Sequence, residues 1–149
     1  MKIQHILVPT DFSQFSDLAI KEASFFCQVF GARLTLMHVF TMAEVNALTS
    51  IPGNPWENVV NQIQSDMKQQ FMNNCDTFQD EEKVSFEVSV GEPAEEVVKH
   101  AEENSVDLIV MGTHGRTGIA GIFLGSVAVE MIKKTCIPIT VVKCAPTIH

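Results

Sequence analysis

A chain of 149 residues that is 46% hydrophobic is large enough for one compact domain with a substantial buried core. Its formal net charge of −8, with only ten lysines and arginines, argues against nucleic-acid binding, which requires clustered basic side chains. The amino terminus lacks the apolar segment of a signal peptide, and the longest nearly apolar stretch, Ile119 to Val129, is shorter than the roughly 18 residues of a membrane-spanning helix. We therefore expect a cytoplasmic protein that binds neither nucleic acid nor a membrane.

The four cysteines have no C-x-x-C spacing of the kind used for zinc or dithiol chemistry. Cys27 lies in the apolar stretch FFCQVF, which favours a small buried hydrophobic residue over a reactive thiol. Disulfides are not expected in such a chain.

Five short runs of aliphatic and β-branched residues predict β-strands. The runs Ile6–Val8 and Leu108–Met111 are continuously apolar, as is typical of strands covered by helices on both faces. The run VSFEVSV alternates instead, which predicts a strand with one solvated face or a place near the sheet edge. The predicted strands are Ile3–Val8, Arg33–Phe40, Val84–Val90, Asp107–Gly112 and Ile137–Val142.

Segments with apolar residues at helical spacing, about every 3.6 positions, separate these strands. Gly31 suits the end of the first helix, and Pro93 suits the first position of the third. The acidic residues between Asp80 and Glu103 are expected to form a solvated face rather than a metal site. The four predicted helices cover Phe15–Val29, Trp56–Phe78, the segment that starts at Pro93, and Ser126–Lys134.

Alternation of strands and helices predicts an α/β fold with a doubly wound, five-stranded parallel sheet and helices on both faces. No break in composition interrupts residues 1–149, so we expect a single domain. The connection from Thr41 to Pro55 is longer than usual. Two interpretations of it remain open, a mobile lid and an excursion without function.

The stretch MGTHGRTGIAGIFLGS, Met111 to Ser126, contains five of the eight glycines in the chain. It begins at the carboxyl end of the fourth predicted strand, the edge at which parallel sheets bind ligands. Glycines let backbone amides approach phosphate oxygens, and the helix that starts at Ser126 adds N–H donors. The stretch therefore predicts a phosphate-binding loop, although glycines that only form turns are the alternative.

The spacing G-x2-G-x9-G-S, formed by Gly112, Gly115, Gly125 and Ser126, resembles the nucleotide-binding signature of the ATP-binding branch of the universal stress protein family. The resemblance extends to ILVPTDFS, to GEPAEEVVKHAEENSVDLIVMGTHGRTG and to GSVAVEMIKKTCIPITVVK, and thus to nearly the whole chain. It implies a Rossmann-like fold of the adenine nucleotide alpha hydrolase-like type. Gly121 departs from the pattern, because many relatives carry a basic or polar residue there.

The resemblance also implies which residues bind ATP. Val39 would offer backbone groups to the adenine edge, and the glycine stretch would surround the phosphates. Arg116 suits a phosphate contact or a solvated position equally, and His114 is either a γ-phosphate contact or a loop histidine with no orienting partner visible in the sequence. The implied nucleotide-binding residues are Pro9, Thr10, Asp11, Val39, Met111, Gly112, His114, Gly115, Arg116, Gly125, Ser126 and Val127.

Asp11 follows the first strand, and the resemblance implies that it holds the ribose hydroxyls or a Mg²⁺ ion. A carboxylate suits both tasks, because it accepts two hydroxyl donors or binds a hard cation. The alternative is that Asp11 or Ser13 caps the amino terminus of the first helix.

Three functions remain open at this stage. The first, implied by the resemblance, is an ATP-loaded regulatory homodimer involved in stress tolerance. The second is a slow ATPase or autophosphorylating enzyme, and the third is an interaction module that binds no nucleotide. We expect the homodimer to form through the fifth strand, Ile137–Val142, because this apolar strand with Pro138 suits an edge that a second copy covers.

Overall fold

A computed structural model describes residues 1–76, 78, 80–114 and 124–143. The strands are β1 (His5–Pro9), β2 (Arg33–Phe40), β3 (Val84–Val90), β4 (Leu108–Gly112) and β5 (Ile139–Val142). The helices are α1 (Gln14–Phe30), α2 (Met42–Thr49), α3 (Trp56–Asn74), α4 (Pro93–Glu103) and α5 (Ser126–Lys134), and a short 3-10 helix (Glu81–Lys83) precedes β3.

All five strands form one parallel sheet in the order β3-β2-β1-β4-β5, which confirms the predicted doubly wound α/β fold. Strand order reverses at β1, because β2 and β3 lie on one side of it while β4 and β5 lie on the other. β3 is an edge strand, as its alternating sequence predicts, and its residues are half-buried or exposed. The reversal places a crevice between the carboxyl ends of β1 and β4.

Two hydrophobic clusters cover the two faces of the sheet. On one face, α1 and α3 pack onto Ile6 and Val8 of β1. On the other, α4 and α5 pack onto Leu7, since successive side chains of a strand point to opposite faces. Cys27 belongs to the first cluster with 2% exposure, which confirms its assignment as a buried hydrophobic residue.

The ends of α1 follow from local chemistry. Ser13 is the N-cap, and its side chain accepts a hydrogen bond from the Ser16 N–H at 3.3 Å. Gly31 follows the helix with a φ of +68°, a left-handed conformation that favours glycine. Of the two residues proposed as the cap, Ser13 therefore has that role, and the alternative that Asp11 is the cap is wrong.

The prediction for the second long helix is wrong at its carboxyl end. α3 ends at Asn74, whereas the apolar spacing continues to Phe78. The reason is that Phe78 packs against Phe71, with ring centroids 5.5 Å apart, from a position beyond the helix. Apolar spacing here reports burial, which continues after the helical hydrogen bonds have ended.

The long connection after β2 contains a helix that the sequence analysis missed. α2 begins with a capping box, in which the Thr41 side chain binds the Glu44 N–H and the Glu44 side chain binds the Thr41 N–H. None of its residues is buried, so it lacks the apolar periodicity that reveals a packed helix. Among the helices that the structure describes, none is long and apolar enough to cross a membrane.

Candidate functional site

A cavity of about 610 Å³ opens where β1 and β4 separate. These strands pair at only two positions, Ile6 with Leu108 and Leu7 with Ile109, and their carboxyl ends then diverge. The cavity collects every predicted site residue that the structure describes: Pro9, Thr10, Asp11, Val39, Met111, Gly112, His114, Gly125, Ser126 and Val127. The predicted residues Gly115 and Arg116 lie outside the described part of the chain.

Val39 directs its backbone groups toward this crevice. The Arg33 N–H donates a hydrogen bond to the Gln4 oxygen at 3.0 Å, and the Met37 oxygen accepts one from the Thr10 N–H at 2.8 Å. The backbone N–H and C=O groups of odd-numbered β2 residues therefore point toward β1. Phe40, in contrast, accepts from the Gly91 N–H on the β3 side. β1 pairs with β2 only as far as Met37, so the Val39 N–H and C=O extend beyond it toward the cavity.

The amino terminus of α5 forms another wall of the cavity. The Gly125 N–H donates to the Thr113 oxygen at 2.6 Å, so the amide donors nearest the cavity begin at Ser126. The N–H groups of the first helical residues, Ser126, Val127 and Ala128, have no acceptor within the helix and carry its partial positive charge. All three residues line the cavity, which makes this wall suited to an anion.

The two described glycines of the motif are not required for turns. Gly125 has a φ of −71°, which any residue adopts, and Gly112 is not among the residues with positive φ. Gly112 is instead needed for close packing, because a Cβ there would stand 2.8 Å from the Phe15 carbonyl oxygen. Backbone conformation therefore requires glycine at neither position, and close packing requires it at Gly112.

The loop after β1 is held by side-chain hydrogen bonds. Asp11 Oδ1 accepts from the Ser13 N–H at 3.0 Å, and Phe12 between them has a left-handed φ of +64°, which is costly for a bulky residue. The buried Thr10 hydroxyl donates to Gln70 Oε1 at 2.7 Å, which ties the loop to α3. Thr10 thus lines the cavity while its hydroxyl serves the fold, and the Asp11 carboxylate is fixed beside the crevice.

His114 has two contacts that the sequence does not reveal. Its Nδ1 lies 3.1 Å from Thr113 Oγ1, and its ring packs against Phe15 with centroids 5.4 Å apart. The half-buried imidazole is therefore oriented at the cavity wall.

Several lining residues were missed by the sequence analysis, of which His38, Thr41 and Glu44 are the most informative. Buried His38 binds the Thr10 oxygen through Nδ1 at 2.8 Å and packs edge-on against Phe40. Nothing in the sequence distinguishes it from any other strand residue. Thr41 and Glu44 did carry a signal, because T-x-x-E is the pattern of a capping box.

The charges around the cavity are acidic. Among the described lining residues there is no lysine or arginine, and the two carboxylates are those of Asp11 and Glu44. No cluster of three or more metal-binding side chains occurs within residues 1–76, 78, 80–114 and 124–143. A phosphate ligand would therefore rely on amide donors and on cations from outside this described wall.

A model of the universal stress protein family matches residues 2–143. The chain belongs to the universal stress protein family. Universal stress protein MJ0577 of Methanocaldococcus jannaschii is 35% identical over 151 residues, and the match covers 93% of each chain.

Solved structures of universal stress proteins share this fold. The structure of MJ0577 matches with a TM-score of 0.77 and 33% identity, covering 99% of this chain and all of the other. A universal stress protein in complex with cAMP matches with a TM-score of 0.66 and 22% identity, covering 96% and 98% of the two chains. The universal stress protein of Archaeoglobus fulgidus in complex with dAMP matches at 0.60 and 18%, covering 95% and 98%.

Proposed function

We propose that this universal stress protein binds ATP in the crevice between β1 and β4. The observation that carries the proposal is a single cavity that joins the backbone edge of Val39 to the amino terminus of α5. One end offers an N–H and a C=O side by side, which suit the N1 and 6-amino groups of adenine. The other end offers amide donors and a helix dipole, which suit phosphate.

The comparisons support an adenine nucleotide. Two universal stress proteins of the same fold are in complex with cAMP and dAMP, and both ligands contain adenine and a phosphate. Neither ligand is a triphosphate, so the choice of ATP rests on the G-x2-G-x9-G-S spacing and the resemblance that it carries.

A divalent cation fits the chemistry of the cavity. ATP would place a highly charged phosphate chain beside the Asp11 carboxylate, in a wall where the described residues include no lysine or arginine. Mg²⁺ prefers carboxylate and phosphate oxygens, so Asp11 would hold it directly or through water, or would bind the ribose hydroxyls. Arg116 would add a cation from the part of the loop outside the described residues.

A regulatory homodimer through β5 completes the proposal. β5 is an edge strand, and the oxygens of Pro138 and Val142 accept hydrogen bonds from β4 and from the residue that follows β4, at 3.0 and 3.1 Å. The backbone groups of the alternate residues, Ile139 and Val141, therefore point away from β4, and their N–H and C=O groups would be presented to a second copy. Their apolar side chains are half-buried, and pairing would cover this edge. Location in the cytoplasm remains a prediction from the sequence.

Regulation is favoured over turnover. Rapid phosphoryl transfer needs a positioned base and cations around the transferred group. His114 is oriented, yet the described wall supplies no lysine or arginine to stabilise the developing charge. A slow ATPase or autophosphorylation at the same cavity would use these same residues.

The test is to denature the purified protein and identify the small molecules released, and then to titrate the emptied, refolded protein with Mg-ATP by calorimetry. We expect bound ATP or ADP, or saturable binding of added Mg-ATP at one site per chain. An empty protein that also ignores Mg-ATP would overturn the proposal and favour the interaction module without nucleotide.

A further inference from the structure

The capping box of α2 places a carboxylate next to the backbone edge assigned to the base. Thr41 follows β2 in an extended conformation, with φ −71° and ψ 157°, so the alternation of the strand continues through it. Thr41 is two residues beyond Val39, about 6.6 Å along an extended chain, and its N–H faces the same side. The acceptor of this N–H is Glu44 Oε2, at 2.7 Å.

Glu44 is held there by two further contacts. The Thr41 hydroxyl donates to Glu44 Oε2 at 3.2 Å, and the Glu44 N–H donates back to Thr41 Oγ1 at 3.2 Å. Thr41 and Glu44 both line the cavity. Where β2 extends past the carboxyl end of β1, it therefore offers three groups in sequence: the Val39 N–H, the Val39 C=O and the Glu44 carboxylate.

We propose that Glu44 determines base selectivity, by accepting a hydrogen bond from the 6-amino group of adenine and repelling a 6-oxo group. This inference rests on the proposed nucleotide site. Adenine presents the acceptor N1 and then two amino hydrogens along one edge, which matches the donor and two acceptors of the protein. Hypoxanthine and guanine present an N1–H donor and then an oxygen. The N1–H would face the donor of the protein, and the oxygen would face its two acceptors.

Charge makes Glu44 a strong discriminator. A hydrogen bond to an ionised acceptor is about twice as strong as one between neutral groups. A 6-oxo purine would instead bring its oxygen toward a carboxylate that the Thr41 N–H and hydroxyl hold in place. Glu44 is also absent from the residues that the family signature implies for the site.

The test compares ATP with inosine triphosphate (ITP), which carries a 6-oxo group and shares the ribose and the phosphates. The central variant is Glu44→Gln, because glutamine also forms a capping box and thus keeps α2 in place while removing the charge. The matched control is Glu57→Gln, the same change at an exposed glutamate in the first turn of α3 that does not line the cavity. Neither Glu44 nor Glu57 is buried, so both variants should fold, as thermal unfolding will show.

We expect the parent protein to bind ATP more tightly than ITP, and Glu44→Gln to reduce this preference about tenfold, mainly by weakening ATP. Glu57→Gln should keep the parental preference. An unchanged ATP-to-ITP ratio in Glu44→Gln would overturn the role of Glu44 while leaving the nucleotide site intact. A parent protein that binds neither nucleotide would instead overturn the proposed function itself.

Discussion

Gly112, the last residue of β4, lies so close to Phe15 of α1 that a Cβ on Gly112 would stand 2.7 Å from the Phe15 Cβ and 2.8 Å from its carbonyl oxygen. The Phe15 ring also packs against His114. This contact lets α1 approach the strand end from which the site develops, and it gives Gly112 a role in packing besides its place in the cavity wall.

We expect Gly112→Ala to lower the free energy of unfolding by about 1–3 kcal/mol, because the added methyl group meets backbone atoms of Phe15. Urea unfolding at constant pH measures the loss. The matched control is Gly125→Ala, since Gly125 has an ordinary φ of −71° and should tolerate alanine. Equal stability of the two variants would show that α1 shifts without cost.

Gly125→Val should abolish detectable ATP binding while the fold remains. Gly125 lines the cavity ahead of the α5 amide donors, so a branched side chain would take space that phosphate needs. Asp11→Ala should weaken ATP binding less than Gly125→Val does, because it removes ribose or metal contacts and leaves the amide donors of α5 in place.

Calorimetric titration with Mg-ATP, paired with thermal unfolding of each variant without nucleotide, measures both effects. Binding of ATP to Gly125→Val at parental affinity would contradict the assignment of this wall to phosphate. A weaker effect from Gly125→Val than from Asp11→Ala would do the same.

Acid should destabilise the protein through His5. Burial is the main cause that lowers the pKa of His5 below its ordinary value of 6.5, assisted by Arg33 and His100 and opposed by the Asn104 carbonyl and Asp107. Neutral His5 binds Thr35 Oγ1 through Nε2 at 2.8 Å. His5 therefore binds a proton more readily in the unfolded chain than in the folded protein. The free energy of unfolding is highest above about pH 6.5 and falls as the pH drops below it.

Urea unfolding at about pH 7.5 and about pH 5 measures this slope. His5→Gln should lower stability at both pH values, because it alters a buried site, but should reduce the difference between them. An undiminished pH dependence in His5→Gln would assign the acid sensitivity to other groups.

The cysteines should differ sharply in reactivity. Burial raises the pKa of the Cys27 thiol to about 12 and raises that of Cys75, whereas Cys136 is exposed. Because the thiolate is the reactive form, a disulfide reagent should modify Cys136 rapidly and the buried pair only on unfolding. The measurement uses a protein that carries Cys144→Ser. Adding Cys136→Ser to this protein should remove the rapid phase of thiol labelling. Rapid labelling of Cys27 in the folded protein would contradict the packing around α1.

Val141→Pro should convert the proposed homodimer into monomers. The Val141 N–H faces away from β4, so proline removes a hydrogen bond to a second copy and none within the chain. Sedimentation velocity at micromolar concentration is the measurement, with thermal unfolding to verify the fold. A parent protein that sediments as a monomer would exclude the β5 interface, and a dimeric Val141→Pro would place the interface elsewhere.

The sequence by itself determined the five strands, four of the five α-helices in the described part of the chain and the class of fold, because apolar spacing reports burial directly. The continuous run Leu108–Met111 predicted a strand covered on both faces, and Pro93 and Ser126 marked the first residues of two helices. Where burial and helix formation separate, the same signal failed. It extended α3 to Phe78, and it missed α2, whose stability comes from the capping box of Thr41 and Glu44 rather than from a core.

Tertiary structure decided which residues share the site. Val39, Asp11 and Ser126 are distant in sequence and meet because the strand order reverses at β1, an outcome of packing that local patterns do not specify. The sequence assigned Gly112 to a phosphate-binding loop, but only the approach of Phe15 shows why a side chain is excluded at that position. Glu44 enters the cavity wall because its carboxylate binds a backbone N–H on the crevice side of β2, and that direction is defined only by the pairing of the assembled sheet.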